Sequence, residues 1–350
     1  MQTVQAVADP VGSPDPGSAT ACKAGDSPCN LAFDPSLSSS FAPTPCGSPE
    51  WAAGSCSSST QTCPLRIGGK VTEANDTFVK DTLMLTLSPS AAVEGFTFGC
   101  TQFVDPGLFF RAAGMIDLSR NNRSLASRVV SSSSPPSNGG DTTIAFSYCL
   151  PSNLSSHGFL SVGPSGSMYS SRQDVQYAPL VDNTVMPTFY FVELVGIKVG
   201  GVDLQIPPDA PINNFTMLDT ASTFSYFVPS VYTVLRDEFR RQMAKYPTAP
   251  PFDGLDTCYN FTGLDQLNVT VFLPIIRFEI AGGSSLELVL DQMMYFTNPA
   301  NRFSVACRAF GKTNPGNTVP VSVIGSLAQQ SAEMIYDLQG GKLGFAQGVC

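Results

Sequence analysis

The sequence predicts a mainly β fold with a few short helices, arranged as two related β-rich lobes, and three observations carry that expectation. Short runs of β-branched and aromatic residues recur between Gly, Pro, Ser and Asn clusters, which is the pattern of strands and turns. At 350 residues the chain is longer than one hydrophobic core usually supports, so two lobes are the default. The third observation is internal repetition. In the second half the strand-like "NFTMLDTASTF" runs into Asp219, and "VSVIGSLAQQ" carries a hydrophobic-hydrophobic-Gly triplet ending at Gly325, 106 residues on. In the first half "TVQAVAD" runs into Asp9, and "AAGMIDLSR" carries Met115 and Ile116 followed by Asp117, 108 residues on. Cys100 to Cys149 and Cys258 to Cys307 are each 49 apart as well.

The strand signals follow in order: "TFVKDTLMLTL", "GFTFGC", "TIAFSYCL", "FYFVELVGIKVGG", "SSLELVL" and "GGKLGFA". The Gly200-Gly201 and Gly282-Gly283 pairs lack nucleotide-binding spacing and read as hairpin turns. The clearest helix is "SVYTVLRDEFRRQMAKY", with Ser230 placed to cap its start and Val231, Val234, Leu235, Phe239 and Met243 near one stripe. "SSSSPPSNGG" and "SNLSSHG" are too polar to bury and read as surface loops inside a lobe. The lobe boundary falls near "APLVDNTVMPT", dividing the chain into residues 1–182 and 183–350.

Composition narrows the function classes. Hydrophobic residues make up 43% and charged ones 13%, which suits a folded core rather than disorder. No run reaches the roughly 18 apolar residues of a spanning helix, so no membrane partner is expected. A formal charge of -9 repels phosphate backbones and argues against nucleic acid. Ten cysteines with no CxxC pair, and a single histidine, favour disulfides over a metal site, and no cofactor motif is present. His157 sits in a Ser-rich loop without a nucleophile motif and reads as a surface histidine. Six N-x-S/T sequons, at Asn75, Asn122, Asn153, Asn214, Asn260 and Asn268, point with the cysteines to the secretory route, extracellular or vacuolar. "MQTVQAV" has neither the basic segment nor the apolar run of a signal peptide, so the chain is expected to be an incomplete gene product or a fragment.

Stretches across nearly the whole chain carry a family resemblance: "FDPSLSSSF", "PCGSP", "DTLMLTL", "FTFGC", "FSYCLP", "FYFVELVGIKVGG", "LDTASTFSYFVPSVYTVL", "LDTCYNFTG", "VIGSLAQQ" and "YDLQGGKLGFAQGVC". Together they resemble the pepsin-like aspartic peptidases, in the plant secreted branch to which nepenthesins belong. The resemblance implies a bilobal pepsin-like acid-protease fold, with two related β-barrel-like lobes and a cleft between them. In the family, the strand feeding the first catalytic aspartate begins after a Gly-Thr-Pro turn. "QTVQAVAD" looks like its continuation, so the opening strands of the first lobe are expected to be missing.

The family's chemistry needs two carboxylates close enough that like-charge repulsion keeps one protonated and one ionised, with a water between them. Each comes from an Asp-Thr/Ser-Gly-Ser/Thr motif. Asp219, Thr220, Ala221 and Ser222 nearly match it, and Gly325 keeps the small residue of the crossing strand. In the first lobe Asp9 is the preferred acid and Asp15, in "DPGS", the alternative. Pro10 and Val11 follow Asp9, so the bracing hydroxyl and the glycine are absent, and proline removes a backbone donor. The flap-like "CPLRIGGKVTEANDTF" has no tyrosine, Asp117 replaces a glycine, and the only tryptophan is Trp51 rather than one soon after the first motif.

The expected function is therefore a pepsin-like aspartic endopeptidase with impaired activity, acting on a peptide or protein in the interlobe cleft. The alternative is a catalytically inactive secreted protein that binds or inhibits a protein ligand. A monomer without metal or cofactor is expected, and Cys258–Cys307 is the preferred disulfide, the other pairings staying open.

Overall fold

A computed structural model describes residues 3–4, 37–45, 48, 66–67, 70–71, 77–84, 92–100, 115–132, 144–152, 157–164, 174–207, 210, 215–264, 270–313 and 321–350. These fall into two compact units, one within residues 3–133 and the other within 134–350.

In the first unit Ala42–Pro43, Thr77–Met84 and Ala92–Cys100 form an antiparallel sheet. Alternation along "TFVKDTLM" buries Val79 and Asp81 on one side. One oxygen of the buried Asp81 carboxylate, Oδ1, accepts from Ser38 Oγ at 2.8 Å, Thr82 N at 2.7 Å and Ser40 Oγ, while Oδ2 is buried without a hydrogen bond. Leu125–Ser132 is a helix whose start is capped by Ser124, its Oγ accepting from Ser127 N at 3.3 Å. In the flap-like segment Arg66–Ile67 pairs antiparallel with Lys70–Val71.

The described residues of the second unit form four sheets. One joins distant parts of the chain in the antiparallel order Gln176–Pro179, Lys342–Gln347, Ala332–Asp337, Ile144–Cys149 and Phe159–Pro164. Cys149, the last residue of an inner strand, is joined by a disulfide to Cys350, so the equal cysteine spacing of the two halves is not an equal pairing. Its inner face is aromatic: Phe146 and Tyr336 stack at 4.5 Å, and Tyr190 meets Tyr336 at 4.7 Å. A second sheet has the order Phe191–Val192, Thr216–Leu218, Ser322–Ile324, Ser225–Phe227 and Phe310–Lys312. Leu194–Val199, Val202–Asp203, Ile276–Ile280 and Ser284–Leu288 make the third. Gly200 and Gly201, at φ 54° and 82°, form its two-residue turn, a conformation that glycine adopts at no steric cost.

In the fourth sheet Cys258 faces Cys307 across adjacent strands and the two are joined by a disulfide. The long helix runs from Pro229 to Gln242 and buries Val231, Tyr232, Leu235 and Phe239 against the second and third sheets. It starts before the expected cap: Val228 is the N-cap and Ser230 lies inside the first turn. Pro229 explains the difference, since its fixed φ suits the first helical position and its missing N–H is one that no helix could satisfy there.

Among the described residues no helix is long and apolar enough to cross a membrane. No cluster of three or more His, Cys, Asp or Glu that could hold a metal ion occurs among them either.

Candidate functional site

The site grows from one pair of parallel strands. Thr216–Leu218 runs beside Ser322–Ile324, with Leu218 opposite Ile324, and each strand buries its first and third residues. Parallel pairing brings the residues that follow, Asp219 and Gly325, to the same end. Asp219 N donates to Ile324 O at 3.1 Å and so closes the ladder.

Three more bonds stitch the two loops beyond it. Ser326 N donates to Ser222 O at 2.7 Å, Leu327 N to Thr223 O at 3.1 Å, and Gly325 N to Ser225 Oγ at 3.1 Å. The loops approach so closely that a Cβ on Gly325 would lie 2.3 Å from the Phe224 carbonyl oxygen. Glycine is required here by contact.

Asp219 is 8% exposed, and its two oxygens have separate donors. Ala221 N reaches Oδ1 at 3.0 Å and Ser222 Oγ reaches Oδ2 at 2.7 Å. The arrangement is an aimed acceptor: a carboxylate fixed by short local bonds, held at the end of a rigid sheet. Thr220 is half-buried.

Behind the loops lie residues that the motif reading missed. Gln329 is fully buried, and its Nε2 donates to Ile324 O at 2.8 Å and Gly325 O at 3.3 Å. Its Oε1 accepts from the Tyr148 hydroxyl. Burial above all, then Tyr336 and the Asp219 carboxylate, hold Tyr148 well above the usual phenol range, so it remains a donor. The available signal was "LAQQSAEM", a glutamine pair between the Gly325 loop and an apolar strand, where solvent exposure would have been the default reading.

A second electrostatic feature sits under the long helix. Arg308 is fully buried with its guanidinium 5.0 Å from the Tyr232 ring centre and 5.7 Å from that of Phe310. None of its three side-chain nitrogens has a hydrogen-bond partner. Burial pulls it down to about 10, against the favourable pull of Tyr232 and Asp256. Asp256 itself lies below the usual carboxylate range: burial would raise it, but bonds from Tyr232 and Thr257, with Arg240 and Arg308 near, outweigh that.

The remaining candidates divide by position. Asp9 and Asp15 lie outside the described residues, as does Trp51. Asp117 is half-buried and accepts a bond from Ser119 N at 2.8 Å, in a strand, Ile116–Asp117, that pairs antiparallel with Thr3–Val4. Asn122 and Asn260 are exposed, while Asn75, Asn153, Asn214 and Asn268 lie outside the described residues. His157 is exposed.

Comparison with known proteins places the chain in a family. Residues 18–164 match a family model described as xylanase inhibitor N-terminal, and residues 189–347 one described as xylanase inhibitor C-terminal. An aspartyl protease family protein of Arabidopsis thaliana is 31% identical over 327 residues, covering 91% of this chain and 63% of its own length. Nepenthesin-1 of Nepenthes gracilis is 28% identical over 333 residues, covering 91% of this chain and 68% of its own. The chain thus spans about three-fifths of the length of the Arabidopsis proteins it matches. Among solved structures, basic 7S globulin from soybean superposes with a TM-score of 0.65 at 18% identity, covering 91% of this chain and 85% of that one. Conglutin gamma from lupine seeds does so at 0.66 and 16%, covering 90% and 84%. Those two likenesses establish the fold, and with the family models and the protease relatives they lead to one conclusion: the chain belongs to the plant pepsin-like aspartic peptidase family.

Proposed function

We propose that this chain is an aspartic-type endopeptidase of impaired activity, in which Asp219 supplies one carboxylate of a water-activating pair and Asp9 the other, with Asp15 as the alternative first acid. The observation that carries this reading is the Asp219 carboxylate, nearly buried, with each oxygen held by its own donor at the end of the paired strands. In such a pair the ionised group takes a proton from water as it attacks the peptide carbonyl, while the protonated group polarises that carbonyl. The two titrate as a unit. Ser222 and Gly325 support the second acid through the bonds and the close approach described above, and Thr220 is assigned the bracing hydroxyl of the motif.

The impairment rests on the first half. Pro10 and Val11 stand where the motif has a hydroxyl and a glycine, the flap-like segment has no tyrosine, and Asp117 replaces the glycine of the triplet. Three departures in one half act on the same reaction, where displacement of about 1 Å costs on the order of a hundredfold in rate.

The same departures favour a second reading, a non-catalytic protein that binds or inhibits a protein ligand, and the descriptions of the two matching family models lend it support. Either way we assign the protein to the secretory route, extracellular or vacuolar, as a glycosylated monomer. The sequons and the disulfides of the second unit support that assignment. We set the lobe boundary at residues 182/183, in the interval between the two family-model matches.

An acid-pH assay on a denatured protein substrate tests the first reading. Slow hydrolysis is expected, falling at least about a hundredfold in Asp219→Asn. Equal signals from the two folded proteins would leave the binding reading in its place.

A further inference from the structure

A chain of buried polar side chains leads from the aromatic core to the backbone of Asp219. It starts at Tyr336, whose hydroxyl lies 3.1 Å from that of Tyr148. Tyr148 donates to Gln329 Oε1, and Gln329 Nε2 donates to the carbonyls of Ile324 and Gly325. Ile324 O is shared, because it also accepts from the Asp219 amide. Tyr148, Tyr336 and Gln329 are all fully buried, where polar groups are retained only if their bonds are made.

The chemistry of the central residue is specific. Only a side-chain amide offers one acceptor and two donors in a single plane, and all three kinds of partner face it here. A glutamate would set carboxylate oxygens against two carbonyls, and a leucine would leave those carbonyls and the Tyr148 hydroxyl with one partner fewer. A second buried glutamine holds the turn Leu327–Gln329 from the other side. Gln292 Nε2 donates to Gln330 O and, at 3.4 Å, to Ala328 O, while its Oε1 accepts from Val289 N at 2.7 Å.

We propose that Gln329, backed by Tyr148, is a positioning residue for Asp219: it fixes the Ile324 and Gly325 carbonyls and through them the amide and the loop that aim the carboxylate. This rests on the reading of Asp219 as a reacting acid, which the test below separates from the positioning itself. The bonds of Gln329 run to the Tyr148 hydroxyl and to two backbone carbonyls rather than to the carboxylate, so it acts through the backbone.

Hydrogen exchange at single amides reads the effect directly. In Gln329→Met the Asp219 amide is expected to exchange about tenfold faster, while the amides of Leu235 and Phe239 in the long helix keep their rates. Tyr148→Phe, which keeps the ring packing, gives a smaller acceleration of about threefold at Asp219 and also serves if Gln329→Met does not fold. The double variant removes both ends of the Tyr148–Gln329 bond, so its loss of stability is smaller than the sum of the two single losses while Asp219 remains fast. Unchanged exchange at Asp219, or an equal change throughout the unit, overturns the proposal. Where the wild-type protein cuts peptide, kcat falls with KM unchanged in Gln329→Met, and an unchanged kcat also overturns it. Where wild type and Asp219→Asn are equally inert, the catalytic reading fails and the exchange data alone decide the positioning.

Discussion

A Cβ on Gly325 would lie 2.3 Å from the Phe224 carbonyl oxygen and 2.8 Å from that of Ser222, whereas at the matching place in the first half Asp117 carries a whole carboxylate, turned back onto Ser119 N at 2.8 Å. The strands leading to the two positions differ as well. Ser322–Ile324 runs parallel to its partner, Thr216–Leu218, and Ile116–Asp117 runs antiparallel to Thr3–Val4. The difference teaches what the glycine is for. It admits a facing loop at contact distance, where the Cβ of any other residue would meet that loop's backbone. The duplicated pattern in the sequence therefore preserves the positions of two elements but not their use.

The largest test of this contrast is a pair of substitutions measured by equilibrium unfolding. Gly325→Ala is expected to cost about 3 kcal/mol, because the new methyl group meets backbone on the opposing loop and nothing flexible can yield. Asp117→Ala removes a single local bond and should cost about 1 kcal/mol. A smaller loss at Gly325 than at Asp117 would break the comparison.

An effect of intermediate size is expected at Arg308, the cation buried beneath the long helix. Replacing it by methionine keeps the volume among Tyr232, Phe239 and Phe310 and removes a charge whose burial outweighs the pull of Tyr232 and Asp256, so stability should rise by about 1 kcal/mol. A loss instead would mean that the aromatic faces and Asp256 more than offset burial.

The smallest effect lies on the surface of the same helix. The Arg241 guanidinium and then the Gln242 amide hold the Glu238 carboxyl down to about 2, below its unfolded value. The stabilisation is thus complete above pH ~5 and is lost as pH falls through the folded value. Acid titration of unfolding should show Glu238→Gln losing less stability than wild type between pH ~4 and pH ~2. Identical slopes would show that the pair contributes nothing in the acid range that the proposed reaction uses.

Much of the second unit was legible in the sequence because its signals are local. "TASTF" after a strand and "VIGS" after another place Asp219, Ser222 and Gly325 by contiguous motifs, and alternation or turn chemistry gives most strands their limits. "FYFVELVGIKVGG" reads as one strand but is two, Phe191–Val192 and Leu194–Val199, because the chain passes from one sheet to another at Glu193. What was not legible depends on partners far away in the chain. Tyr148 and Gln329 are 181 residues apart, and Cys149 reaches Cys350 across 201, so no local pattern announces either contact. Arg308 misleads for a related reason. "VACRAF" suggests an arginine on the solvent face of a strand, yet helix and sheet cover that face and bury Ala306, Cys307 and Arg308 in succession.

The central claim is that the second half retains its catalytic frame and the first half has lost it. Rewriting Asp9-Pro10-Val11-Gly12 with Pro10→Thr, Val11→Gly and Gly12→Ser, beside a separate Ala221→Gly in the second half, tests it in one acid-pH peptidase assay. The account predicts a gain of at least about a hundredfold from the first-half change, abolished by Asp219→Asn, and less than about threefold from Ala221→Gly. A larger gain from Ala221→Gly, or a first-half gain that survives Asp219→Asn, would contradict it.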